Sequence, residues 1–161
     1  AISISLGLSA KSINRRLESF LPPKGRCFVT ITNGITIIDD TYNANLSSTM
    51  AALEYLNAFS NDGRKIFIFG DMLELGEASR EQHAEVGIRC SALKIDIVYT
   101  IGNHTVFTDS QISSNIVHKH FKTKNLLIKT LKRIIQKRDK ILFKGSRSMQ
   151  MDDVINKVFK F

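Results

Sequence analysis

Three short polar stretches carry the side chains suited to chemistry: Asp39-Asp40-Thr41-Tyr42-Asn43-Ala44-Asn45, Gly70-Asp71-Met72-Leu73-Glu74 and Lys144-Gly145-Ser146-Arg147. Each follows an apolar run of strand composition. The first offers two carboxylates and two amides, the second two more acids, and the third two cations around a glycine. A buried strand that delivers such groups to its carboxyl end, just ahead of a helix, is how open α/β sheets build ligand sites. Residues 40–45 are therefore the leading candidates for function.

The elements that must position these stretches follow from hydrophobic period and turn chemistry. Two β-rich runs, 25–31 and 35–38, are joined through Asn33-Gly34, a strong hairpin signal. A helix is expected over 47–56, then a strand buried on both faces at 65–69. Helix 79–93, strand 96–101, a short helix within 104–114, a short strand 118–121, helix 123–137, strand 140–143 and helix 151–159 complete the chain. The alternation predicts an α/β fold with a doubly wound, mostly parallel sheet, an N-terminal β-hairpin and short preceding helices. Parallel strands put all three polar stretches on one edge of that sheet, where they share a crevice.

Composition bounds the rest. The chain has 161 residues, 43% of them hydrophobic, enough for one core with a short appendage. No apolar run is long enough to span a bilayer, and the start lacks the layout of a signal peptide, so a cytoplasmic location is expected. Cys27 and Cys90 stand far apart without metal-ligand spacing and read as apolar residues. The net charge of +8 is concentrated from Lys119 to Lys140, where the lysines form the wet side of an amphipathic helix. An anionic small-molecule partner, a nucleotide or a carboxylate substrate, suits the remaining charge better than nucleic acid. Ser9 is placed to cap a helix through Ile13, Leu17 and Phe20, and Pro22-Pro23 ends it. A domain boundary is expected there.

Taken together, IIDDTYNAN, GDMLELGE and KGSRSM, with KGR leading in, resemble the carboxy-terminal domain of the Mur ligases from about Pro23 onward. Within that family the resemblance is to the branch that joins D-alanyl-D-alanine to a UDP-linked muramoyl tripeptide, UDP-N-acetylmuramoyl-tripeptide. It implies a Rossmann-like domain at 23–161, with 1–22 the tail of a central ATP-binding domain and linker. It also implies ATP-driven amide synthesis, in which ATP and Mg2+ are held mainly by that central domain. By position, Asp40 would accept hydrogen bonds from the ribose of ATP and Arg26 would lie against ribose or phosphates. Tyr42, Asn43 and Asn45 would line the nucleotide side. Lys144, Ser146 and Arg147 would face the dipeptide carboxylate, whereas Asp71 and Glu74 fit an ammonium contact and a loop-fixing role equally. Leu46 stands where the family pattern has proline.

Plainer roles compete for several of these residues. Asp39 suits a turn, and Asn43 and Asn45 suit helix capping better than ligand contact. Arg147 could pair with a carboxylate at the sheet edge. His83, His118, His120, Met149 and Met151 read as packed or surface residues. No G-x-x-x-x-G-K-[ST] phosphate loop occurs in the chain, so alone it is expected to be catalytically silent. The other classes to weigh are a stand-alone nucleotide- or anion-binding module and a phosphoacceptor regulator with Asp39, Asp40 and Asp71 as an acidic pocket and Lys144 as the charge partner.

Overall fold

The computed structural model describes residues 2–160. Two helices come first, α1 (Ile2–Ser5) and α2 (Ala10–Glu18). Ser9 caps α2 by accepting from the Ser12 amide at 3.2 Å. No side chain of α2 is buried, and Leu17, Phe20 and Leu21 stand exposed.

The body is a six-stranded sheet of β1 (Phe28–Thr32), β2 (Ile35–Asp40), β3 (Lys65–Gly70), β4 (Ile97–Ile101), β5 (Val117–Phe121) and β6 (Lys140–Lys144), in the order β1-β2-β6-β3-β4-β5. Among the described residues only β1 and β2 pair antiparallel; every other pairing is parallel. Asn33 and Gly34 turn the hairpin with φ of 51° and 77°, the double left-handed geometry that a two-residue turn between twisted strands needs.

Helices α3 (Leu46–Asn57), α4 (Ser79–Ala92) and α5 (Thr105–Asp109) cover one face of the sheet, where Leu53, Leu56, Val86 and Cys90 pack on Ile38, Phe67, Phe69, Val98 and Leu142. Helices α6 (Lys124–Ile134) and α7 (Met151–Phe159) cover the other, with Leu127, Leu131, Met151 and Val154 against Ile37, Ile66, Ile68, Ile141 and Phe143. The sheet is thus covered on both faces, and β3, β4 and β6 are buried along their whole length. This is the fold class expected from the sequence. Helix α6 stops at Ile134, three residues short of expectation. Arg64 takes the Ile134 carbonyl and Asp139 takes the Gln136 amide, while Arg138 turns the backbone at φ 72°.

Candidate functional site

Register decides which polar side chains meet. Asp40 lies opposite Lys144 across β2 and β6, and Lys144 lies opposite Phe69 across β6 and β3. The carboxyl ends of three strands are therefore level, and the loops that leave them share one edge.

At this edge Lys144 is 1% exposed, and its ammonium donates to Asp40 Oδ2 at 2.5 Å and to the Asn43 carbonyl at 3.0 Å. Asp40 Oδ1 accepts the Cys27 amide at 3.0 Å. A carboxylate has about four acceptor sites, so Asp40 keeps capacity for a ligand after both contacts. Arg26 lies over the Tyr42 ring, 4.1 Å from its centroid, and Tyr42 is half exposed. Gly25 at φ 81° sits so close to Tyr42 that a Cβ there would come within 3.2 Å of it. Gly25, Arg26, Asp40, Tyr42, Asn43, Asn45 and Lys144 together line a cleft of about 420 Å³.

The two amides of this loop are already engaged. Asn45 caps α3 through the Ser48 amide at 2.8 Å, in a reciprocal box with the Ser48 hydroxyl. Asn43 Oδ1 accepts the Ala44 amide at 2.9 Å. Asp39 turns the chain by accepting from the Thr41 amide and hydroxyl. Leu46 occupies the first helical position, where proline would also fit.

The second acidic stretch fastens the loops together. Asp71, buried, gathers the amides of Asn103, His104 and Thr105 at 2.8 to 3.0 Å, and its carbonyl accepts the Ser146 amide. Ser146 is buried too, and its hydroxyl accepts the Leu73 amide at 2.8 Å. Glu74 is exposed at φ 64°. The expected substrate set therefore divides: Asp71 and Ser146 fix loops, Lys144 joins the nucleotide-side residues, and Arg147 stands 64% exposed, paired with Asp152 at 3.1 Å.

A second cleft, about 380 Å³, is lined by Lys24, Gly25, Asp39, Thr41, Tyr42, Arg147, Asp152 and Asn156, with Tyr42 and Gly25 in common with the first. Lys24 and Asp152 escaped the sequence reading. An acid in the first turn of a helix is ordinarily a partner for the helix dipole, and a lysine beside Pro-Pro carries no signal of its own.

His83 is fully buried and structural. Its Nε2 accepts the Met72 amide at 3.0 Å while Nδ1 donates to the Ser79 carbonyl at 2.7 Å. Burial holds its pKa below the ordinary value. Burial likewise pushes the Cys27 thiol up to about 11, with Asp40 beside it adding to the shift, and Cys90 up to about 12. Neither thiol is an activated nucleophile. His118 pairs with Asp109 and His120 with the Thr100 hydroxyl. Among the described residues no group of three or more His, Cys, Asp or Glu is placed to hold a metal, and no helix is long and apolar enough to cross a membrane.

A larger cleft of about 890 Å³ opens at the opposite edge, among Arg64, Lys65, Lys94, Lys137 and Arg138. Helices α3, α4 and α6 end there, and their free carbonyls carry partial negative charge that the cations offset. Lys65 donates to the Asn57 carbonyl at 2.7 Å, and Arg64 grips Asp139 at 2.7 and 2.9 Å. That cluster stabilises helix ends.

Fold and site together define an open α/β domain with its ligand crevice at the carboxyl edge of the sheet, beside an antiparallel hairpin. The sequence profile described as Mur ligase, glutamate ligase domain matches residues 25–147, and the chain belongs to this family. It is similar to the UDP-N-acetylmuramoyl-tripeptide--D-alanyl-D-alanine ligases of Haemophilus influenzae (35% identical, over 96% of this chain and 34% of that protein) and Escherichia coli K12 (34%, over 96% and 34%). The crystal structure of the MurF ligase from Thermotoga maritima in complex with ADP superposes with a TM-score of 0.82 at 30% identity, covering 99% of this chain and 35% of that one. The chain spans about a third of the length of the curated relatives it matches.

Proposed function

We infer that this chain is the carboxy-terminal third of an ATP-dependent ligase that adds D-alanyl-D-alanine to UDP-N-acetylmuramoyl-tripeptide in the cytoplasm. The observation that carries the reading is the meeting of Arg26, Asp40, Tyr42 and Lys144 in one cleft, within a domain whose curated relatives bear that activity in their names.

In this reading residues 1–22 are the end of the central ATP-binding domain and its linker, and 23–161 are the closing domain. The exposed apolar side of α2 supports the first part, since a helix with nothing buried needs a surface to pack against. The central domain holds Mg2+ and most of the nucleotide. From this side Asp40 takes the ribose hydroxyls, Arg26 supplies a fixed planar cation for ribose or phosphate, and Tyr42 with the backbone of Asn43 completes the wall. Asn45 contributes by holding the loop on α3. Lys144 fixes the orientation of Asp40, while Asp71 and Ser146 hold the loops in register; Arg147 is left to meet the substrate carboxylate. Glu74, exposed on the same loop as Asp71, is a contact for substrate at the domain interface.

The reaction needs positioning more than covalent help from protein: the tripeptide carboxylate is activated as an acyl phosphate and the dipeptide amine displaces phosphate. Closure of this domain over the nucleotide brings the amine in and keeps water out.

The test is ADP release by the full-length polypeptide with both substrates. Asp40→Asn is expected to lower kcat/KM for ATP at least tenfold, about 1.4 kcal/mol of transition-state stabilisation. Unchanged ATP kinetics in that variant would remove the nucleotide role. The 161-residue chain alone is expected to give no turnover, and turnover by it would overturn the division of labour between domains.

A further inference from the structure

We propose that the outer face of α6 docks on an anionic phospholipid surface, with Lys129, Lys132 and Arg133 against the headgroup phosphates and Leu126 at their boundary with the acyl chains.

Charge comes first. α6 contains no acid, and Lys122, Lys129, Lys132 and Arg133 are exposed without an ion pair among the described residues. On the other side of the sheet the signs are mixed: α3 and α4 carry Glu54, Glu81 and Glu85 with Arg80 and Arg89, and Arg89 pairs with Glu54. On α7 the exposed Lys157 and Asp153 offset each other, so the excess belongs to α6. Lys129 stands three and four residues before Lys132 and Arg133, a spacing at which like charges destabilise a helix. The helix dipole rewards the last-turn pair Lys132 and Arg133, but not Lys122 and Lys124 at the opposite end. A surface of opposite sign relieves the repulsion along the whole face.

Side-chain chemistry comes second and selects the kind of surface. Lysines outnumber arginine in this stripe, and lysine is scarce in desolvated protein interfaces, where arginine is favoured. α6 also has no aromatic side chain on which an unpaired base could stack. Headgroup phosphates ask for neither, since they attract hydrated cations as point charges. Leu126 is 52% exposed, with Lys129 and Arg133 three and seven residues on, an apolar group among cations as on helices that lie in a membrane interface.

Position comes third. α6 packs over β4 and β5, whereas the cleft of Arg26, Asp40 and Lys144 opens where β2 and β6 end. A surface against α6 leaves that cleft clear. The exposed Lys137 and Arg138, past the end of α6, extend the stripe toward the opposite edge of the sheet.

The experiment is co-sedimentation of the full-length polypeptide with vesicles of phosphatidylcholine alone or with about 30% phosphatidylglycerol, in about 0.1 M salt. At least about tenfold stronger partition onto the anionic vesicles is expected, lost in about 0.5 M salt. The triple variant Lys129→Glu, Lys132→Glu, Arg133→Glu should lower that partition at least about thirtyfold and leave the urea midpoint of the protein unchanged. Exchanging the same residues as Lys129→Arg, Lys132→Arg and Arg133→Lys should keep it within twofold. Reversing three cations elsewhere, Arg80→Glu, Arg89→Glu and Lys94→Glu, should lower it less than threefold. Equal losses from the two reversals would make partition an effect of net charge and overturn the assignment. No preference for anionic vesicles, as when the rest of the polypeptide covers α6, overturns it too. Tighter binding to a mixed-sequence RNA or to polyglutamate than to vesicles at equal charge concentration, lost in the α6 triple variant, gives the stripe to nucleic acid or to an acidic protein instead.

Discussion

Lys144 occupies a place that few lysines take, buried beneath a loop with its ammonium shared between a carboxylate and a carbonyl. Both side chains of the Asp40–Lys144 pair are largely withdrawn from water, so removing one partner strands the other. Lys144→Met is expected to destabilise the domain by about 3–5 kcal/mol, read as a lowered urea midpoint. Adding Asp40→Asn to it should recover part of that loss, a coupling that a double-mutant cycle measures. The sequence presents Asp40 as a ligand-binding acid and Lys144 as a substrate-facing cation, and sets Lys144 beside the acids only in the phosphoacceptor alternative. They are 104 residues apart, and their meeting depends on β6 lying beside β2, a strand order that local pattern does not encode.

Elements were far more legible than pairings, because period, caps and turns are local. Asn33-Gly34, the Asn45 cap and the continuous apolar runs of β3 and β6 each state their structure in adjacent residues. Asn45→Ala should therefore cost about 1 kcal/mol by urea denaturation and leave the sheet unchanged. Less legible was the way the loops at the site are fixed. Gly102 turns at φ 135°, and a Cβ there would lie 2.1 Å from the Asp71 carboxylate that ties this turn to β3. Gly102→Ala is expected to destabilise by more than about 1 kcal/mol, with faster amide exchange at Asn103, His104 and Thr105. His83 fastens the neighbouring loop only while neutral, since its Nε2 must accept the Met72 amide. The unfolded chain takes up a proton on this histidine near pH 6.5, whereas the folded chain resists until lower pH. Stability from this group is thus complete above about pH 6.5 and lost as pH falls toward the depressed folded value. Urea midpoints measured from about pH 7.5 to about pH 5 should show this decline, and His83→Gln should flatten it.

On the scale of the whole molecule, the doubly wound fold and the common edge of the three polar loops follow from alternation alone, and both are present. Strand order within the sheet was not legible, since several orders satisfy the same alternation. The order that occurs puts β6, nearly the last segment of the chain, in the middle, with β2 on one side and β3 on the other. Among the described residues, no strand pairing other than those of β6 joins the hairpin to the β3-β4-β5 half. At ordinary rates of protein synthesis a nascent chain waits roughly 4–15 s between completing β3 and completing β6. Throughout that interval β2 and β3 each present an unpaired apolar edge, the kind of template on which chains aggregate. The cleft that Lys144 lines with Arg26, Asp40 and Tyr42 does not exist until ribosomal work on this domain is almost done. A ribosome stalled before residue 140 would therefore display two half-sheets to chaperones and proteases rather than an early version of the site.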